Sequence, residues 1–172
     1  MKESNKDIRH RTFSSSELAS ISGVSEATQR DWRRRGIERS QSKPGWKKYS
    51  VQDLAFFSIV KLLTSRGVVP RVASKLAKEA SGVVLDLLIR EEAHVRSKSK
   101  RKRKDPPERF VVAAGSKSKS ENGDPAKWGF ASIPKLNSFL RSSPDAIALV
   151  VVDLTRVADR ILERVPSLIS KK

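Results

Sequence analysis

Apolar positions recur at helical spacing through the first half of the chain, and the breaks between them fall on capping and turn residues. Leu18 and Ile21 mark a short helix opened by Ser14, with Glu17 three positions on in an S-x-x-E capping box. Ser22-Gly23-Val24 supplies a turn, because Gly23 tolerates the left-handed backbone that ends a helix and Val24 can pack between two helices. Ser25 then caps a second helix running to Arg35 and ended by Gly36. Its Ala27, Thr28 and Trp32 lie at spacings able to face a core, and Arg30, Arg33 and Arg34 lie around the other sides. A third helix is capped by Ser50, has Asp53 in its first turn, carries Val51, Leu54, Phe57 and Leu62 as an apolar side, and stops at Arg66-Gly67. Pro70 opens a fourth, where Val72, Ala73, Leu76, Ala77 and Ala80 follow the i, i+3, i+4 rule. The apolar run Val83, Val84, Leu85, Leu87, Leu88 and Ile89 continues it to near His94.

The pattern then changes. Ser97-Lys98-Ser99-Lys100-Arg101-Lys102-Arg103-Lys104 is a low-complexity basic run whose charge density disfavours packing, and Asp105-Pro106-Pro107 follows it. It reads as a tethered arm adding phosphate contacts or as a solvated linker. Beyond it, Arg109 to Ala114, Lys127 to Ile133 and Ala146 to Val152 have strand character. A short helix is expected over Pro134 to Leu140. After the third strand, Leu154, Val157, Ala158, Ile161, Leu162 and Val165 form an amphipathic stripe. The predicted class is α+β, divided into an N-terminal tail (1–12), a mainly helical domain (13–96), a basic linker (97–108) and a small α+β unit (109–172). That last unit is short for a large core of its own, so its final strand and helix are expected to serve dimerisation, with plain intramolecular packing about as well supported.

Between the second and third helices, Ser40 to Tyr49 reads as a two-stranded turn with basic residues beside a Pro44-Gly45 tip, the form of a wing. In a helix-turn-helix the second helix enters the major groove and its N-terminal residues meet base edges. Ser25, Glu26, Thr28 and Gln29 are therefore the candidates for readout, and Arg30, Arg33 and Arg34 with Lys43, Lys47 and Lys48 supply phosphate anchoring. Taken alone, the Arg33-Arg34-Arg35 run fits a solvated face equally well. With the Gly23-Val24-Ser25 turn, Thr28 and Arg30, Gly36-Ile37 and Gly45-Trp46-Lys47-Lys48-Tyr49 all in order, the segment from Phe13 to Ala80 resembles the MerR-type winged helix-turn-helix. The resemblance implies a transcriptional regulator whose second helix reads the major groove, with Arg30, Trp32, Lys47 and Tyr49 at the DNA. It also implies a long antiparallel dimer helix, which here is cut short by the basic run. Gln29 and Asp31 stand where that family usually has an apolar residue and a tyrosine, and Lys47 stands where it has an arginine, so the bidentate fork is lost. Thr28 to Arg33 is also similar to excisionases and small terminase subunits, which gives the alternative of an architectural DNA-binding protein acting with a partner enzyme.

Composition agrees with a polyanionic partner: 36 Lys plus Arg oppose 19 Asp plus Glu, a net charge of +17 and a pI near 10.6. Charge alone does not separate DNA from RNA or an anionic membrane. The expected partners are double-stranded DNA, a second copy of the chain and RNA polymerase, without a membrane. No long apolar run or secretory signal is present in the sequence, so the expected location is cytoplasmic and nucleoid-associated. The absence of cysteine excludes disulfides and thiolate metal sensing within this chain. His10 and His94 sit in no acid–base or metal spacing, and Asp153 reads better as a helix N-cap than as a catalytic carboxylate. No phosphate loop, nucleophile elbow or zinc-ligand set occurs, so neither catalysis nor a cofactor is expected.

Overall fold

The computed structural model describes residues 8–37, 48–97, 109–116, 127–132, 135, 136, 138, 141 and 146–169. The expected wing tip, the basic run from Lys98 and most of the expected Pro134 to Leu140 helix lie outside the described residues. Two short helices, α1 (Ser15–Ser22) and α2 (Glu26–Arg34), precede two longer ones, α3 (Val51–Thr64) and α4 (Pro70–Ser97). Strands β1 (Thr12–Phe13) and β2 (Tyr49–Ser50) flank the first pair. The second half adds β3 (Phe110–Ser116), β4 (Lys127–Ala131), β5 (Ala146–Asp153) and a last helix, α5 (Leu154–Arg164). The α+β class holds.

Local sequence sets each boundary. Ser14 caps α1 by accepting from the Glu17 N–H, and the Glu17 carboxylate accepts in return from the Ser14 N–H at 2.7 Å. Both groups of the capping box are thus in place. At the end of α1, Gly23 takes φ 73° and donates its N–H to the Ala19 carbonyl, a left-handed conformation costly for a residue bearing Cβ. Helix α2 closes in the same way: Gly36 takes φ 67°, its N–H donates to the Arg33 carbonyl, and the Ile37 N–H reaches back to the Trp32 carbonyl at 2.9 Å. This is the paired hydrogen-bond arrangement of a Schellman motif, with buried Ile37 as its apolar follower. Ser50 and Asp53 repeat the capping box at α3. Asp153 caps α5, as its residue type suggests.

Two findings differ from the sequence expectations, and a third decides between two that were left open. Residues 8–12 are not a tail: Ile8 is fully buried, and Thr12 and Phe13 pair antiparallel with Ser50 and Tyr49. Tyr49 therefore finds a strand partner at the start of the chain, in a pairing that no local turn signal announces. Ala27, expected toward the core, is exposed, and Gln29 takes the inward position beside Trp32. Of the two uses about equally supported for the apolar stripe of α5, dimerisation and intramolecular packing, the second is seen: its own chain covers it. Leu154, Val157, Ala158 and Ile161 join one core with Leu63, Leu76, Val84 and Leu88.

The second sheet has the order β4-β3-β5, all antiparallel. Phe110 faces Ala131 on one side and Asp153 on the other, and the β3–β5 register shifts at Gly115/Ser116. Arg109 Nη2 donates to Asp153 Oδ2 at 2.6 Å, and the Arg109 carbonyl accepts from the Leu154 N–H at 2.8 Å, so the start of β3 fixes the start of α5. Helix α5 then packs on α4, α3 and α1. Arg11 Nη2 donates to Ser167 Oγ at 2.6 Å, and Arg164 donates to the Ile21 carbonyl, two further ties between the ends of the described chain.

Candidate nucleic-acid interface

Helix α2 is held by one face and open on the other. Its inward face is Gln29 and Trp32, 1% and 8% exposed. Trp32 stacks on Phe57 of α3 with ring centroids 5.8 Å apart and an interplanar angle of 8°. Tyr49 and Phe56 meet the same Phe57 ring edge-on at 5.7 and 5.5 Å. Edge-on and offset contacts of this kind satisfy the ring quadrupoles and add to simple area burial. Gln29 Nε2 donates to the Ser15 and Val24 carbonyls, each at 3.0 Å, and so fastens α2 to the start of α1 and to the turn. Ser74 Oγ of α4 donates to the Ile37 carbonyl at 2.7 Å and fixes the chain just beyond α2.

The outward face carries Ser25, Glu26, Ala27, Arg30 and Arg34, all exposed. Ser25 is also the N-cap: its Oγ accepts from the Thr28 N–H and shares a hydrogen bond with Thr28 Oγ1 at 2.9 Å. The free N–H groups and partial positive charge of a helix start favour an anion there. Arg34 and Arg35 both bind Asp31, at 2.8 and 2.9 Å. The hydrogen bond from Arg34, with Arg35 beside it, holds the Asp31 carboxyl below the usual carboxylate range. Arg33 is half-buried, and its Nη2 donates to Tyr49 Oη at 2.7 Å.

Among the candidate DNA-binding residues, the structure thus brings together Ser25, Glu26, Arg30 and Arg34, with half-buried Thr28 behind them. It removes three from the surface. Gln29 cannot read a base edge because its amide is spent on two backbone carbonyls in the interior. Trp32 is a core ring, and Tyr49 is fully buried with its hydroxyl turned to Arg33. The positions implied for Trp32 and Tyr49 by resemblance are therefore structural ones here. Lys48 is exposed at the entry to β2; Lys43 and Lys47 lie outside the described residues. Sequence reasoning passed over the inward role of Gln29, although its three-residue spacing from Trp32 puts the two on one helix face.

Asp153, the carboxylate weighed for catalysis, is occupied on both oxygens, by Arg109 and by the Thr155 N–H. No helix among the described residues is long and apolar enough to cross a membrane.

Residues 13–80 match the family model described as MerR HTH family regulatory protein. Over that segment the chain carries a MerR-type helix-turn-helix, which at the family level is a DNA-binding regulatory unit. No curated protein matches the chain.

Proposed function

From a MerR-type helix-turn-helix over residues 13–80, we propose that the protein binds duplex DNA sequence-specifically through the open face of α2 and regulates transcription. The observation that carries this reading is the division of α2 itself: Gln29 and Trp32 anchor one side to the core, and the capped N-terminus with Ser25, Glu26, Arg30 and Arg34 stands in solvent. A helix held this way can enter a major groove without rearrangement. Ser25 and Glu26, at its leading end, meet base edges, with Glu26 suited to accept from a cytosine amino group. Arg30, one turn further on, reaches either a guanine edge or a phosphate. Lys48 anchors the backbone, the role that the sequence also suggests for Lys43 and Lys47. RNA polymerase is the partner that such regulation requires.

Fluorescence anisotropy with labelled duplexes tests the reading. Arg30→Ala is expected to weaken binding to a preferred duplex by about 1–3 kcal/mol, about fivefold to 150-fold, with the fold intact by circular dichroism. Equal affinity of the wild type for all duplexes, unchanged in Arg30→Ala, would contradict it.

A further inference from the structure

A cleft of about 630 Å³ opens between α5 and the C-terminal halves of α1 and α3. One wall is Ile21, Ser22 and Gly23, the end of α1 and the turn that leads into α2. Along the opposite wall, Arg156, Arg160 and Arg164 of α5 recur every fourth residue and are all exposed. Lys61 and Arg66 close the α3 side. The lining holds five cationic side chains against three carboxylates, one of which, Asp153, is already bound by Arg109. Arg164 is pinned to the Ile21 carbonyl and Arg66 to the Leu62 carbonyl, so both rims keep their place.

Residues four apart on a helix rise about 6 Å, so the arginine row is about 12 Å long. One strand of a duplex carries a phosphate about every 3.4 Å along the axis, so with Arg164 held by Ile21 the remaining pair, Arg156 and Arg160, about 6 Å apart, spans about two phosphates. A single small anion would engage one end of it and leave the other unused. The row also lies across the cleft from Ile21, Ser22 and Gly23, the turn that leads into α2. We infer that this cleft is a second DNA-backbone contact, in which Arg156 and Arg160 hold phosphates flanking the segment read by α2. The inference rests on the DNA-binding reading and extends it to the C-terminal helix, outside the matched segment.

The test is a salt titration of the full chain on a labelled mixed-sequence duplex. Replacing both contacts in Arg156→Gln/Arg160→Gln should make the log–log salt slope shallower by about 1.8, two phosphates at about 0.9 each. The melting temperature should stay that of the wild type, because both side chains are exposed. A Lys78→Gln/Arg90→Gln variant, on exposed positions of α4 outside the cleft, should keep the wild-type slope. An unchanged slope in the α5 variant, or an equal fall in both variants, would overturn the contact while leaving the DNA-binding reading standing. An α5 variant that keeps its slope but loses thermal stabilisation by inorganic pyrophosphate would assign the cleft to a small anion and overturn it as well. Failure of the wild type to bind any duplex at low salt would remove both.

Discussion

Gln29 sits where an apolar side chain would serve the same packing, and it brings hydrogen bonds in place of surface burial. Its amide nitrogen satisfies two carbonyls, while its Oε1 has no partner among the described residues. Removing the side chain leaves the carbonyls of Ser15 and Val24 without that donor and opens a void at the α1–α2 contact. Gln29→Ala is expected to lower stability by about 2–3 kcal/mol in urea denaturation and to leave base preference unaltered in the folded protein. A variant that kept stability but changed preference would return Gln29 to the interface. The residue type pointed outward, and only its position relative to Trp32 pointed inward; a polar side chain with two specific acceptors defeats any reading based on polarity alone. Glu17 is governed by a related balance. Hydrogen bonds from the Ser14 N–H and hydroxyl lower its carboxyl below the ordinary range. A lowered folded value means that the stabilisation is fully present above the unfolded value and is lost as pH falls through the folded one. Ser14→Ala should therefore cost about 1 kcal/mol at neutral pH, and the gap to the wild type should narrow in acid, as thermal melts across that range would show.

At the scale of elements, the caps, turns and helix periods were legible in the sequence because each is decided within a few residues. Ser14, Ser25, Ser50 and Asp153 cap the helices their types suggest, and Gly23 and Gly36 end the two short ones. The β1–β2 pairing was not, since Phe13 and Tyr49 are joined only through the folded core. Nor was the fate of the α5 stripe: a helix with one apolar face announces that something covers it, not whether the cover is another copy or its own chain. Here the cover is α4 and its neighbours. Ile161→Ala, 2% exposed before truncation, is expected to cost about 2–5 kcal/mol. Because α5 and α4 share a core, that loss should appear as one cooperative transition, with helical and tryptophan signals falling together. Separate transitions would mean that α5 folds on its own.

For the whole molecule, the shared core ties the matched helix-turn-helix to a C-terminal helix that carries its own arginine row. Residues Leu154 to Leu168 contribute to the same buried cluster as Leu63 and Leu88, so a fragment ending at Ser97 should expose part of it. It is expected to melt below the full chain and to bind a hydrophobic dye that the full chain excludes. The charge of +17 guarantees attraction to polyanions but assigns no sequence preference, which must come from Ser25, Glu26 and Arg30 at the leading end of α2. Selection of bound sequences from a random duplex pool at near-physiological salt separates the two contributions, with the wild type and a Ser25→Ala/Glu26→Ala/Arg30→Ala variant run in parallel. Recovery of a defined motif by the wild type and its loss in the variant is the predicted result. Enrichment without a motif, or the same motif from both proteins, would contradict reading through α2.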